Sequence, residues 1–144
     1  MIEEDTIKLL RECDAGIKMG ISSIDEVEKY VKDENMKKVL SVSRDAHDAL
    51  SAEISEMLTR YGDEGKNPNP IVKGMSWVKT NVKLALSDSD KTIASLMTDG
   101  CNMGVKSLSK YLNQYEAAEE RAKDITKKLI SIEEKMAVEL RDYL

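Results

Sequence analysis

Apolar residues recur along this chain in steps of three and four. In the first segment, from about Glu3 to Lys32, the stripe is Ile7, Leu10, Ile17, Ile21, Ile24 and Val31, widened by Leu9 and Val27. That spacing places one face of an α-helix toward a core. Asp33, Glu34 and Asn35 then predict a turn, where short polar side chains can cap a following helix. A second stripe runs through Met36, Val39, Leu40, Ser43, His47, Leu50, Ile54, Met57, Leu58 and Tyr61. It predicts a helix over 34–61.

Gly62 to Asn69 reads as a loop. Asn69 followed by Pro70 is a helix start, a capping side chain and then a proline that needs no amide proton. A short helix is expected over 70–86. The polar run Ser87, Asp88, Ser89 and Asp90 breaks the pattern before a long helix over 89–112. Asn113 and Glu116 have roughly capping-box spacing, so a last helix is expected over 114–143. Its stripe is Ala122, Ile125, Leu129, Ile132, Met136, Leu140 and Tyr143. The reading is an all-α chain, one domain over 1–144, made of two antiparallel hairpins joined by a long crossover that carries a short helix. Long helices of roughly 24–30 residues span about 36–45 Å at 1.5 Å per residue.

Two segments repeat. Gly16-Ile17-Lys18-Met19-Gly20-Ile21-Ser22-Ser23-Ile24 and Gly100-Cys101-Asn102-Met103-Gly104-Val105-Lys106-Ser107-Leu108 share a pattern: Gly-x-x-Met-Gly-aliphatic-x-Ser-aliphatic. The repeat marks the first and third long helices as equivalents. Glycine inside a helix costs about 0.5–1 kcal/mol relative to alanine, so these positions need a reason. Gly16 and Gly20, and again Gly100 and Gly104, are four apart and share a face. They are assigned to close helix packing, with room for a cofactor or metal as the other reading.

Composition narrows the class further. Phenylalanine is absent, glycine is sparse and charged residues are abundant, which favours helix over sheet. Eight methionines suit an adaptable helical core. The net charge of −5 does not favour a phosphate backbone as partner, so no nucleic acid is expected. No apolar run reaches membrane-spanning length. Acidic Glu3, Glu4 and Asp5 stand where a leader would be basic. Cys13 and Cys101 are far apart and read as two reduced thiols. These features together point to the cytoplasm.

The helix lengths, the repeated Gly-x-x-Met-Gly segment and the 70–86 stretch with Trp77 give the chain its resemblance. It resembles the ferritin-like superfamily, and within it a small bacterial branch of single-domain bundles with an amphipathic crossover helix. Active members carry a glutamate on each of helices one and three and Glu-x-x-His on helices two and four. Position by position, this chain departs from that set. On helix two, Arg44 stands three before His47; on helix four, Glu133 stands three before Met136, where a histidine would be needed. Helix one offers Asp14 with Glu12 beside it, and the repeat matches Asp14 to Thr98. A complete di-iron site is therefore not expected, and no cofactor is assigned beyond a single metal ion held weakly.

The candidates for that ion are Asp14, His47 and Glu53. Each has a structural reading beside it: His47 as a half-buried histidine satisfied by hydrogen bonds, and Asp14 as a carboxylate paired with a lysine or arginine of a neighbouring helix. Cys101 matches Ile17 in the repeat and reads as a buried, inert thiol. In the crossover, Met75, Trp77 and Val78 are candidates for a subunit interface. Gly62, Gly65 and Lys66 lack phosphate-loop spacing, and a single histidine excludes a zinc-protease motif. The function expected is a non-catalytic bundle, a homodimer acting in assembly or stress-related binding. The alternative is a divergent metal-binding oxidoreductase or iron handler.

Overall fold

The computed structural model describes residues 1–66 and 89–144. Over these residues the chain is a four-helix bundle: α1 (Ile2–Glu28), α2 (Glu34–Arg60), α3 (Ser89–Gln114) and α4 (Glu120–Glu139), followed by a 3-10 turn at Arg141–Tyr143. No strand is present among them. The expected helix over 70–86, with the interface candidates Met75, Trp77 and Val78, lies outside the described residues.

Each helix end has a local cause. Glu3, Glu4 and Asp5 sit in the first turn of α1, where negative charge faces the exposed amides. Asp33 caps α2, its side chain accepting from the Met36 amide at 2.8 Å. At the far end of α2 the Gly62 amide donates to the Thr59 carbonyl and the Asp63 amide to the Leu58 carbonyl, with Gly62 at φ +71. This is a Schellman closure, which needs a left-handed residue there and finds it in glycine.

Helix boundaries differ from the sequence expectation at three main places, one being that the last helix ends at Glu139 rather than 143, where the 3-10 turn takes over. α1 stops at Glu28 rather than Lys32. The last helix starts at Glu120, not near 114, because α3 runs on to Gln114 and a turn follows, with Tyr115 stacked on Tyr111. The supposed capping box at Asn113 and Glu116 is not used. The α3–α4 turn is held from outside instead: the Ala117 amide donates to Asp5 and the Glu119 amide to the Thr6 hydroxyl, at 3.1 and 2.8 Å.

The opposite end is held in a matching way. The Lys32 and Asp33 amides in the α1–α2 turn both donate to Asp90 at the start of α3. Asp90 thus sits at the end of the bundle where α2 begins, while the end of α2 lies at the other, where Tyr61 hydrogen-bonds Glu119. α2 therefore finishes at the opposite end from where α3 starts. α1 runs antiparallel to α2 and α3, and α4 runs antiparallel to the same two, while α1 and α4, which also pack on each other, run parallel.

The core forms two clusters along the axis. One gathers Leu10, Cys13, Ile17, Ile54, Leu108, Ile125 and Leu129; the other gathers Ile24, Val27, Met36, Leu40, Ile93, Met97 and Met136. Each large aliphatic side chain buried this fully contributes about 1.5–3 kcal/mol. On α4 the buried positions are Ala122, Ile125, Thr126, Leu129, Glu133 and Met136. The apolar seam expected through Ile132 is thus corrected: Ile132 is half-buried and Glu133 faces inward.

Candidate functional site

The polar centre of the bundle is the meeting of His47 on α2 with Glu133 on α4. Both belong to seams whose other members are mainly apolar, and their spacing makes the inward turn unavoidable. His47 lies four after Ser43 and three before Leu50, and Glu133 lies four after Leu129 and three before Met136, all buried. His47 is 0% exposed and Glu133 8%. The imidazole Nε2 stands 2.9 Å from Glu133 Oε1, and Nδ1 stands 2.7 Å from the Ser43 carbonyl oxygen.

Both ring nitrogens therefore face oxygen acceptors, an arrangement that suits an imidazolium with two N–H donors. Burial is the largest single influence on this ring and opposes its charge. The hydrogen bond and negative charge of Glu133, the Ser43 carbonyl and the nearby Asp48 together outweigh it, and the pKa of His47 is raised. Cys101 on α3 completes the surroundings. Burial pushes its thiol pKa upward, and the charge of Glu133 and a hydrogen bond to it push the same way. The thiol therefore stays protonated as a weak donor.

Two of the repeated glycines lie beside this pair, and one of them makes room for it. A Cβ at Gly20 would stand 2.9 Å from Nε2 and 3.1 Å from Cδ2 of His47, closer than real contacts allow. A Cβ at Gly104 would meet the Glu133 carboxyl at 3.6 Å, an ordinary contact. Gly20 thus leaves space for the His47 ring. Gly16 has only the end of Leu129 nearby, at 4.0 Å, and a Cβ at Gly100 meets nothing described within 4 Å.

The three candidate ligands are not brought together. Asp14 bonds the Lys18 ammonium at 2.8 Å and the Lys66 amide at 2.9 Å. Its lysine is on its own helix, one turn on, not on a neighbouring helix as expected. Its second partner is the chain leaving α2, and Gly65 at φ +88 lets that backbone close over the carboxylate. Glu53 faces Lys128 at 3.7 Å on the surface. Among the described residues no group of three or more His, Cys, Asp and Glu side chains is placed to hold a metal ion.

The superfamily's di-iron set does not fit these residues. Helices α1 and α3 present glycine to the central pair, and a side chain at Gly20 would collide with His47. Among the described residues, one imidazole, one carboxylate and one thiol that burial keeps protonated are the donors at this centre. Two adjacent cations need several carboxylates to neutralise and fix them.

Sequence reading set Glu133 at the glutamate place of Glu-x-x-His but left it off the buried seam and did not pair it with His47. Its signal was the three-four spacing from Leu129 and Met136. Sequence reading also missed a contact of Cys13, whose thiol lies 3.2 Å from the Thr126 hydroxyl inside the core. Burial pushes the pKa of Cys13 up to about 12, so it is an inert thiol at neutral pH.

No family model, curated protein or solved structure matches the chain. No described helix is long and apolar enough to cross a membrane.

Proposed function

We propose that this chain is a ferritin-like bundle of two related hairpins, without catalytic activity, that acts as a homodimer in assembly or stress-related binding. The observation that carries this reading is the mutual satisfaction of His47 and Glu133. Each holds the other, and the second ring nitrogen is occupied by a backbone carbonyl. A site built for substrate leaves such groups open to a ligand; here the protein supplies the partners.

The ends of the bundle support the ferritin-like connection and the duplication. α2 finishes at one end and α3 begins at the other, as a long crossover requires. Thr6 and Asp90 stand at the same offset as the two glycine-containing segments. Each accepts a backbone amide from the turn of the opposite hairpin. Gly20 and Gly104, at that offset too, flank the central pair. Two buried free cysteines support a reducing, cytoplasmic setting.

Self-association finds support on the α2–α4 face. A cleft there is floored by Ala46, Leu50, Ile125 and Ile132 and rimmed by Glu53 and Lys128. Twofold dimers are the commonest assembly of such chains. Light scattering at high micromolar concentration is expected to give the mass of two chains, and a monomer there removes the dimer.

The alternative is a divergent metal-binding oxidoreductase or iron handler. It is favoured by the His47 ring, whose Nδ1 is fixed by a carbonyl while Nε2 points inward, as in metal-bound histidines. One experiment separates the two. Protein purified without chelator is analysed for metals and then titrated anaerobically with ferrous ion. The proposed function expects no tight stoichiometric binding. Two tightly bound irons per chain, with oxygen consumed on exposure to air and loss in His47→Ala, would establish the alternative.

A further inference from the structure

We propose that the His47–Glu133 pair is a proton-operated lock: α2 and α4 are held together while the imidazole carries both protons, and the bundle loosens when rising pH removes one. The proposal rests on reading the centre as a pair satisfied by the protein itself.

The geometry makes the second proton necessary. With Nδ1–H on the Ser43 carbonyl at 2.7 Å, loss of the other proton leaves the Nε2 lone pair facing a carboxylate oxygen at 2.9 Å. Those are two acceptors with nothing between them. The other tautomer keeps the Glu133 bond and turns a lone pair toward Ser43 instead. Flipping the ring replaces both nitrogens by carbon and loses both bonds. His47 is fully buried, so water does not take over the lost role. Gly20 packs against the ring where a Cβ would not fit, so the ring has little freedom to swing aside.

Among the described residues, the groups around the ring leave it as the one that changes. From α4 it faces Glu133. From α3 comes Cys101, whose raised pKa keeps it a thiol well above neutral pH. From α1 comes Gly20, which has no charge. On α2 itself Asp48 lies outside the pair and is bound by Arg44, which also bonds Asp25 of α1. His47 has its pKa raised against the opposing effect of burial. The sign follows: stability from the pair is fully present below the ordinary histidine value of about 6.5 and is lost as pH rises through the raised value. α2 belongs to one hairpin and α4 to the other, so the lost bond is one between hairpins.

His47 is the only histidine in the chain, which makes the test direct. Chelator-treated protein labelled with 15N-histidine is followed by NMR from pH 5.5 to 9.5, and urea unfolding is measured over the same range. The expected result is an imidazole doubly protonated at pH 6 with a midpoint above about 6.5. The folding equilibrium constant should fall by up to about tenfold per pH unit between that value and the midpoint. In His47→Gln this fall should vanish. A folded protein with a singly protonated ring at pH 6 would overturn the lock, as would a wild-type stability profile parallel to that of His47→Gln. If the variant does not fold, the NMR titration of the wild type decides alone. Metal content measured before chelation reports on the non-catalytic reading, so the two ideas fail by different signals.

Discussion

Asp14 and Glu133 are both carboxylates buried in this bundle, and the protein satisfies them by opposite means. Asp14 takes its cation from its own helix, one turn on at Lys18, and an amide from the loop at Lys66. Glu133 reaches across to another helix for the one histidine in the chain. The first arrangement is local and lies where the chain leaves α2, and Lys18 remains partly in water. The second is sealed at the centre and ties two hairpins together. A local pair of this kind anchors a loop, whereas a cross-helix pair sets which faces of two helices meet.

The largest difference should appear on removing one partner from each. Glu133→Ala leaves a buried imidazole without its acceptor and should cost about 3–5 kcal/mol in urea unfolding. Asp14→Ala should cost less, about 1–3 kcal/mol, because the Lys18 ammonium can turn to solvent and only a loop amide is stranded. Equal losses would show that the location of the two carboxylates does not matter and would break the comparison. Replacing both members of the central pair, His47→Leu with Glu133→Leu, sharpens it. Well-packed apolar residues should recover most of the loss or exceed wild-type stability. The pair would then be a device for specificity, bought at a cost in stability.

The same contrast explains what could be read in the sequence. The helices were legible because their apolar seams keep steps of three and four, and Asp33 was legible as a cap because its neighbours are local. The i,i+4 partner of Asp14 was also within reach. Glu133 was not, because a single inward glutamate on an apolar seam has no local partner, and its histidine lies 86 residues away in the chain. The start of α4 was misplaced for a related reason. It is set by Thr6 and Asp5 at the other end of the sequence, whose contacts with residues 117–119 leave no mark on the local pattern. The glycine repeat announced a need for space without saying what would fill it. That depended on which helix faced which.

Gly20 tests whether the space belongs to His47. Alanine there gains about 0.5–1 kcal/mol of helix propensity. Its Cβ, however, would lie 2.9 Å from a ring held at both nitrogens. Relief requires the ring to give up one hydrogen bond or the helices to part, and overpacking of this kind costs about 1–3 kcal/mol. Gly20→Ala should therefore be destabilising overall, by about 1–2 kcal/mol. The loss should shrink in a His47→Ala background, since the atoms it collides with are gone. A loss that persists unchanged there would assign Gly20 to helix approach instead.

Gly104 should respond with the opposite sign. It stands beside the same pair, but an added Cβ reaches the Glu133 carboxyl at 3.6 Å, within ordinary contact. Its φ is not positive, so alanine fits the helix without backbone strain. Nothing then offsets the conformational entropy that glycine costs. Gly104→Ala should stabilise the bundle by about 0.5–1 kcal/mol, seen as a higher urea midpoint with an unchanged slope. The carboxylate is covered on the side away from His47, so the His47–Glu133 bond should survive and the histidine NMR signal should keep its doubly protonated form at pH 6. Two glycines equivalent in the sequence repeat would then differ in sign because one faces a rigid ring and the other a carboxyl with room to spare. A destabilising Gly104→Ala would mean that α3 needs that glycine for the approach of α4 itself.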